Sequence, residues 1–363
     1  MKEPTQTISK DPWRLVKEKS ASITTGDSIG ILDHLAPLSA LLDIPFISDS
    51  KDLITSAKKY YPQVKQIYIP TDQALYPYLS KHFDLLFVSS ALYRQNLQPF
   101  CELFSGKKIE FCYCPHGNSD KSLKQFKLQN ICLMYGDQME ERLRSNDLFN
   151  HLQVGIKTGN YRLAFYQKYK QFYDALIEEE VFKNFEKKQQ TLLFAPTWED
   201  FALSSSLRDV GLPLLKKLPS HFNLIIKPHP WHERNEPGFL SLLQEMCFNK
   251  GNALVLREYP LVLPLLERVD IYLGDFSSIG YDYLYFNRPM FFFDPKKRLD
   301  KIESSSSFLH VCGELIPESE YQNIYELIET SKDKGKNGER RKLYNYTFEE
   351  NIDFNSLKKH IFS

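Results

Sequence analysis

Short apolar runs recur along this chain at intervals that suit strands alternating with helices. From about Ser22 onward the runs 28–32 (SIGIL), 45–48 (PFIS), 66–69 (QIYI), 85–89 (LLFVS), 109–114 (IEFCYC) and 131–135 (ICLMY) read as strands. Stretches between them, such as 52–60 and 93–103, have helical character. VGIKTGNY, at 154–161, reads as a further short strand ending in glycine. A long polar segment rich in Lys, Glu, Gln and aromatics then runs from Tyr166 to about Lys188 and reads as helical. The alternation restarts at 191–195 (TLLFA), 223–227 (NLIIK), 253–256 (ALVL), 271–274 (IYLG) and 290–293 (MFFF). Strands that alternate with helices argue for parallel sheets covered on both faces. Two such series joined by one helical link predict an α/β protein of two Rossmann-like lobes facing a central cleft. The expected boundaries are 1–165 for the first lobe, 166–190 for the connector and 191–363 for the second lobe.

Length supports that division, since 363 residues suit two domains of common size. With 42% hydrophobic and 25% charged residues the chain is globular rather than disordered. The 46 basic residues are balanced by 46 acidic ones, which gives no support to a nucleic-acid partner. Cys101, Cys112, Cys114, Cys132, Cys247 and Cys312 sit mostly in apolar stretches, and no secretory leader is read at the start. Reduced thiols in a cytosolic protein are therefore expected. No apolar stretch approaches the ~18 residues of a membrane span. A helix around 355–362 leaves room for peripheral contact with a membrane surface, although a solvated polar helix explains it as well. The first ten residues read as a loose arm.

In open α/β sheets, ligands sit off the carboxyl ends of the strands, so the residues after each strand carry the functional reading. Strand 271–274 is followed by Asp275, Phe276, Ser277 and Ser278, then a helical run and Asn287-Arg288-Pro289. Two serines at a helix start are ordinary caps, yet such a turn also offers unpaired N–H groups to a phosphate. Asp282 lies four residues beyond Ser278 and can share its helix face. Strand 223–227 delivers Lys227, Pro228, His229 and Pro230, and the two prolines are expected to keep the histidine out of a helix. A lysine and a histidine there can meet an anion, or can be a solvated loop pair. His229, His232 and Glu233 are in the wrong order for a helical zinc motif, and C-x-C before proline is a poor chelate, so no metal is expected. In the first lobe, His116 and Gly117 follow a strand, where a histidine can act as general base near neutral pH. Gly159 and Arg162, and then Pro196, Thr197 and Trp198, follow two more strands.

The order of these clusters carries a resemblance. His116-Gly117, MYGDQMEERL, TGNYRL, LLFAPTWED, IIKPHP and DIYLGDFSSIGYDYLYFNRPMFFF, taken in series, resemble the CDP-glycerol glycerophosphotransferase family, the teichoic-acid primases and polymerases of GT-B-like fold. APTW and the D-x-S-S…D…NRP pattern are its specific elements. Two departures stand out: Pro-His-Gly-Asn-Ser-Asp-Lys where the family has Trp-His-Gly, and Asp-Phe-Ser-Ser where it has Asp-Tyr-Ser-Ser. The resemblance implies an acceptor-side first lobe and a nucleotide-donor-binding second lobe. By it, His116 and His229 form the catalytic pair, and Arg162, Lys227, Asp275, Ser277, Ser278 and Asp282 line the donor side. It also implies CDP-glycerol as donor, a glycan or lipid-linked acceptor, release of CMP and no cofactor. A GT-B glycosyltransferase using a nucleotide sugar would employ the same parts, as would a relative that binds nucleotide without turnover.

Overall fold

The computed structural model describes residues 19–26, 28–90, 92–118, 123–198, 205–295, 297, 309–331 and 335–348. The N-terminal arm, Asp120 and Lys121, and the segment 355–362 lie outside the described residues. The chain divides into two compact units. The first takes the described residues up to Gly117, those up to Lys168, and the chain from Tyr346; the second is formed mainly by Tyr169–Asn345.

The first unit alternates β1 (Ser20–Thr24), α1 (Ile29–Leu42), β2 (Phe46–Ser48), α2 (Lys51–Tyr60), β3 (Gln66–Tyr68), α3 (Asp72–His82), β4 (Leu85–Val88) and α4 (Leu92–Ser105). It continues through β5 (Glu110–Tyr113), β6 (Ile131–Met134), α5 (Asp137–Ser145), β7 (Val154–Lys157) and α6 (Tyr161–Lys168). Its seven strands are parallel, in the order β3-β2-β1-β4-β5-β6-β7. The strand order reverses between β1 and β4, the crevice where such sheets bind ligands.

Residues 28–32 do not form the expected strand; Ser28 is the N-cap of α1 and 29–32 are its first turn. This helix is buried almost all round, from Leu32 through Ser39 and again at Leu41 and Leu42, so its apolar run carries no stripe that would have marked it as a helix. The strand position is filled by SASIT, 20–24, all five residues of which are buried. Its hydroxyls disguise it: Ser22 bonds Ser39 of α1, and Ser39 in turn donates to Leu35 O at 2.8 Å.

The second unit holds α7 (Lys170–Glu180), β8 (Gln190–Ala195), α8 (Leu207–Lys216), β9 (Phe222–Ile226), α9 (Pro230–Asn235), α10 (Pro237–Phe248) and β10 (Ala253–Val255). Then come α11 (Val262–Glu267), β11 (Ile271–Gly274), α12 (Ser278–Tyr283), β12 (Met290–Phe293), β13 (Glu314–Ile316), α13 (Ile324–Thr330) and the start of α14 (Asn337–Phe348), whose residues from Tyr346 on belong to the first unit. Its six strands are also parallel, ordered β10-β9-β8-β11-β12-β13, with the reversal between β8 and β11. One face of this sheet is closed by Leu207, Val210 and Leu214 of α8 with Leu240 and Leu243 of α10. β13 escapes sequence reading because only three residues pair, and Leu315 among them is exposed. The single connector helix expected over 166–188 is two helices that break at Tyr169, with α6 in the first unit and α7 in the second.

All six cysteines are free and buried. Burial pushes the Cys112 and Cys132 thiols well above their ordinary range, so neither is a ready nucleophile. Among the described residues no helix is long and apolar enough to cross a membrane.

Candidate active site

Three adjacent strands of the second unit, β9, β8 and β11, end at one edge, and their following residues gather beside the order reversal. Pro196, Thr197 and Trp198 leave β8, Lys227 and His229 leave β9, and Asp275, Ser277 and Ser278 leave β11. Gly274, the last residue of β11, must lack a side chain: a Cβ there would lie 2.8 Å from Ala195 O. The two strands can therefore stay close where their loops diverge.

Asp275 is 1% exposed and works as a tether. Its Oδ2 accepts the backbone N–H of Thr197 at 2.7 Å and that of Ser206 at 3.2 Å. His232, also 1% exposed, holds the same loop from the other side, its Nε2 donating to Thr197 O at 2.8 Å. Nδ1 of His232 faces Glu236, and Glu233 is engaged by Arg257. His229, His232 and Glu233 thus have three separate tasks. Among the described residues no cluster of His, Cys, Asp and Glu gathers as a metal site.

His229 stays out of helix as its flanking prolines predict, with extended backbone at φ −66° and ψ 142°, but a helix the sequence reading did not expect starts directly behind it. Pro230 occupies the first turn of α9, where a missing N–H costs nothing, and His229 is the N-cap. Its Nδ1 accepts the N–H of Trp231 at 3.2 Å, so the neutral ring carries its proton on Nε2. Trp198 stacks on Trp231 with ring centres 5.4 Å apart and lies 6.3 Å from the His229 ring. Lys227, 6% exposed, is anchored by its own N–H to Phe194 O at 2.8 Å.

Ser277 stands at the N-cap of α12, but its side chain makes no capping bond; its hydroxyl lies 3.4 Å from that of Tyr272. The serine reading of the sequence is thus correct in position and different in bonding. Asp282 is buried on the same helix. Asn287-Arg288-Pro289 precedes β12 and so lies at the opposite end of its strand. Asn287 ends the preceding helical turn in the left-handed conformation at φ 52°, and Arg288 donates to Glu267 O and Val269 O at 2.8 and 2.5 Å. This element is a structural brace.

In the first unit, β5 ends in Pro115, His116 and Gly117, with His116 exposed. Gly117 has φ 110°, a conformation only glycine adopts easily, so the His-Gly pair is a backbone requirement. Tyr135, just beyond β6, donates to Pro115 O at 2.9 Å and accepts from Gly117 N–H at 3.1 Å. Arg162 lies in α6, 1% exposed, with its guanidinium 2.5 Å from the Asp33 carboxylate of α1. Asp33 also accepts from Tyr61 at 2.9 Å and from Tyr166. The structure therefore sets Arg162 inside the first unit, whereas Lys227, Asp275, Ser277, Ser278 and Asp282 belong to the second.

Asp33, His34, Tyr135 and Trp231 escaped sequence reading. An acidic residue and a histidine inside an otherwise apolar helix, three residues before Pro37, was the signal available for the first two.

Two parallel Rossmann-like sheets, each with polar clusters at its carboxyl edge, define an α/β protein of the GT-B class. The chain belongs to the CDP-glycerol:poly(glycerophosphate) glycerophosphotransferase family, whose model matches residues 150–357, and is a transferase of that type. The wall teichoic acid polymerase TagF has a similar fold, with 14% identity and a TM-score of 0.69, covering 97% of this chain and 90% of its own. The UDP-GlcNAc 2-epimerase of Neisseria meningitidis aligns at 14% identity and TM-score 0.56, covering 94% of this chain and 98% of that one. A glycosyltransferase from Rickettsia africae aligns at 12% identity and TM-score 0.51, over 95% and 96% of the two chains. These likenesses concern the fold. No curated protein matches the sequence.

Proposed function

We propose that this protein transfers glycerophosphate from CDP-glycerol to a hydroxyl group of a glycan or lipid-linked acceptor, releasing CMP. The family match carries the reading, because its span contains the whole carboxyl-edge cluster of the second unit. A TagF variant soaked with CDPG, similar in fold at TM-score 0.65, favours the same donor. The acceptor oxygen attacks the glycerol-bearing phosphorus, the bond to the bridging oxygen breaks, and CMP leaves with the electron pair. His116 takes the hydroxyl proton. Lys227, the Nε2–H of His229 and the Ser277–Ser278 turn offset the charge that grows on the leaving phosphate. Asp282 faces the donor's ribose. For Arg162 the buried pairing supports a different role from phosphate binding, that of holding α1. The reaction is assigned to the cytoplasm, at the inner face of the membrane where a lipid-linked acceptor would be met.

The test is chromatography of the nucleotide released from CDP-glycerol in the presence of a membrane extract. CMP is expected. His116→Ala should lower turnover by about 10²–10⁴-fold while CDP-glycerol still stabilises the protein thermally. A nucleoside diphosphate released from a nucleotide sugar, with no CMP from CDP-glycerol, would identify a glycosyltransferase instead.

A further inference from the structure

The turn that carries His116 is fixed by a phenol and a histidine from outside it. A phenol oxygen has one proton and two lone pairs. The Tyr135 proton goes to Pro115 O at 2.9 Å, and Gly117 N–H fills one lone pair at 3.1 Å. The third contact is Nδ1 of His34, at 3.3 Å. With its own proton already committed, Tyr135 can only accept from His34, so Nδ1 carries a hydrogen. Nε2 of the neutral ring is then an acceptor.

His34 is itself held firmly. It is 7% exposed, and its carbonyl accepts the Tyr161 hydroxyl at 3.1 Å. The preceding residue, Asp33, is anchored by Arg162, Tyr61 and Tyr166. Burial first, and then the charge of Arg162 and the neighbouring His116, push the His34 imidazole well below its usual range. It therefore stays neutral near pH 7 and presents the tautomer that Tyr135 requires.

We propose that His34 and Tyr135 are a positioning pair for His116: His34 Nδ1–H orients the Tyr135 hydroxyl, which fixes the peptide groups on both sides of His116. The C=O before His116 and the N–H after it meet one oxygen atom, so neither peptide can rotate independently of the other. A general base needs this, since a displacement of about 1 Å costs about 10²-fold in rate. The inference rests on His116 as the base of the proposed reaction and adds the residues that aim it.

Three variants test it: Tyr135→Phe, His34→Asn and His34→Gln. Asn holds an N–H close to the position of Nδ1, whereas Gln reaches toward that of Nε2. Each is assayed for CMP release and by NMR of protein labelled with ¹⁵N in its histidines, His116 being assigned through His116→Ala. Tyr135→Phe and His34→Gln should lower kcat by about 10²-fold, with KM for CDP-glycerol unchanged and the His116 ring signals displaced. His34→Asn should restore kcat to within a few-fold and return the His116 signals to their wild-type positions. Folded Tyr135→Phe and His34→Gln proteins with wild-type kcat and unmoved His116 signals would overturn the proposal. So would an Asn variant no better than the Gln one. Should Tyr135→Phe not fold, the two His34 variants decide the matter alone. A wild-type protein that releases no CMP refutes the reaction, and the NMR comparison still decides the positioning pair.

Discussion

Removing Arg162 should damage the fold before it damages donor binding, and removing Asp33 should be worse. The two side chains are 2% exposed and meet at 2.5 Å, so each charge depends on the other for compensation. Their surroundings are not symmetrical. Without Arg162, the Asp33 carboxylate retains the hydroxyls of Tyr61 and Tyr166. Loss of its cation then costs about 3 kcal/mol, the low end for a broken buried pair. Without Asp33, a buried guanidinium and two phenols lose their shared acceptor, which costs about 3–5 kcal/mol. Arg162→Met should therefore destabilise moderately and Asp33→Ala severely. The double variant Asp33→Leu, Arg162→Met should recover much of the loss, because no stranded charge remains. Urea unfolding followed by tryptophan fluorescence and by circular dichroism gives the stabilities, with two signals because the two units can unfold separately. Calorimetry gives the affinity for CDP-glycerol. An Arg162→Met protein that unfolds like wild type but loses the donor would refute this, since Arg162 would then be placing its charge on phosphate.

Three further outcomes follow from the geometry. Replacing Ser277 and Ser278 with leucine should lower donor affinity by ten-fold or more in titration, with the far-ultraviolet spectrum unchanged, because bulk would block the turn proposed to receive the phosphates. His229→Ala should weaken both turnover and donor affinity and also remove the cap of α9, costing about 1 kcal/mol of stability in a melting curve; a loss of stability alone would make it a structural residue. The depressed affinity of His34 for protons predicts a pH effect of definite sign. The unfolded chain protonates this residue near pH 6.5 and the folded chain does not, so its share of stability is complete above that pH and declines on acidification, at up to about 1.4 kcal/mol per pH unit. The difference in melting temperature between wild type and His34→Asn should therefore shift in favour of the variant as pH falls from 7 toward 5.

Most strands were legible because a strand covered on both faces is apolar along its whole length, as in LLFV and MFFF. β1 was not legible because Ser20, Ser22 and Thr24 are buried despite their hydroxyls, Ser22 by bonding Ser39, and a sequence does not reveal that partnership. The polar clusters at the strand ends could be found because residues after parallel strands fall at one edge, whatever the helices between them do. Their bonding could not. A serine before a helix looks like a cap whether or not it caps, and Pro-His-Pro looks like a helix breaker until the second proline proves to be the first residue of α9. The Asp33–Arg162 and His34–Tyr135 contacts join residues more than 100 positions apart, beyond any local pattern.

Asp275 is where the two kinds of reading can be separated by experiment. The sequence pattern groups it with the donor site, yet its buried Oδ2 already accepts two backbone N–H groups, from Thr197 and Ser206. A carboxylate is also a poor neighbour for a diphosphate, since like charges repel in a water-poor site. If Asp275 acts as a tether, the bonds matter more than the charge. Asp275→Asn keeps an oxygen that can accept both N–H groups and should unfold within about 1–2 kcal/mol of wild type. Its affinity for CDP-glycerol should be equal or higher, because a nearby negative charge has gone. Asp275→Ala leaves two buried N–H groups without an acceptor and should lose about 2–4 kcal/mol, with donor affinity falling as the 196–198 loop loses its hold. Donor affinity that collapses in a fully folded Asp275→Asn protein would mean that the carboxylate itself grips the donor, through hydroxyl groups rather than phosphates.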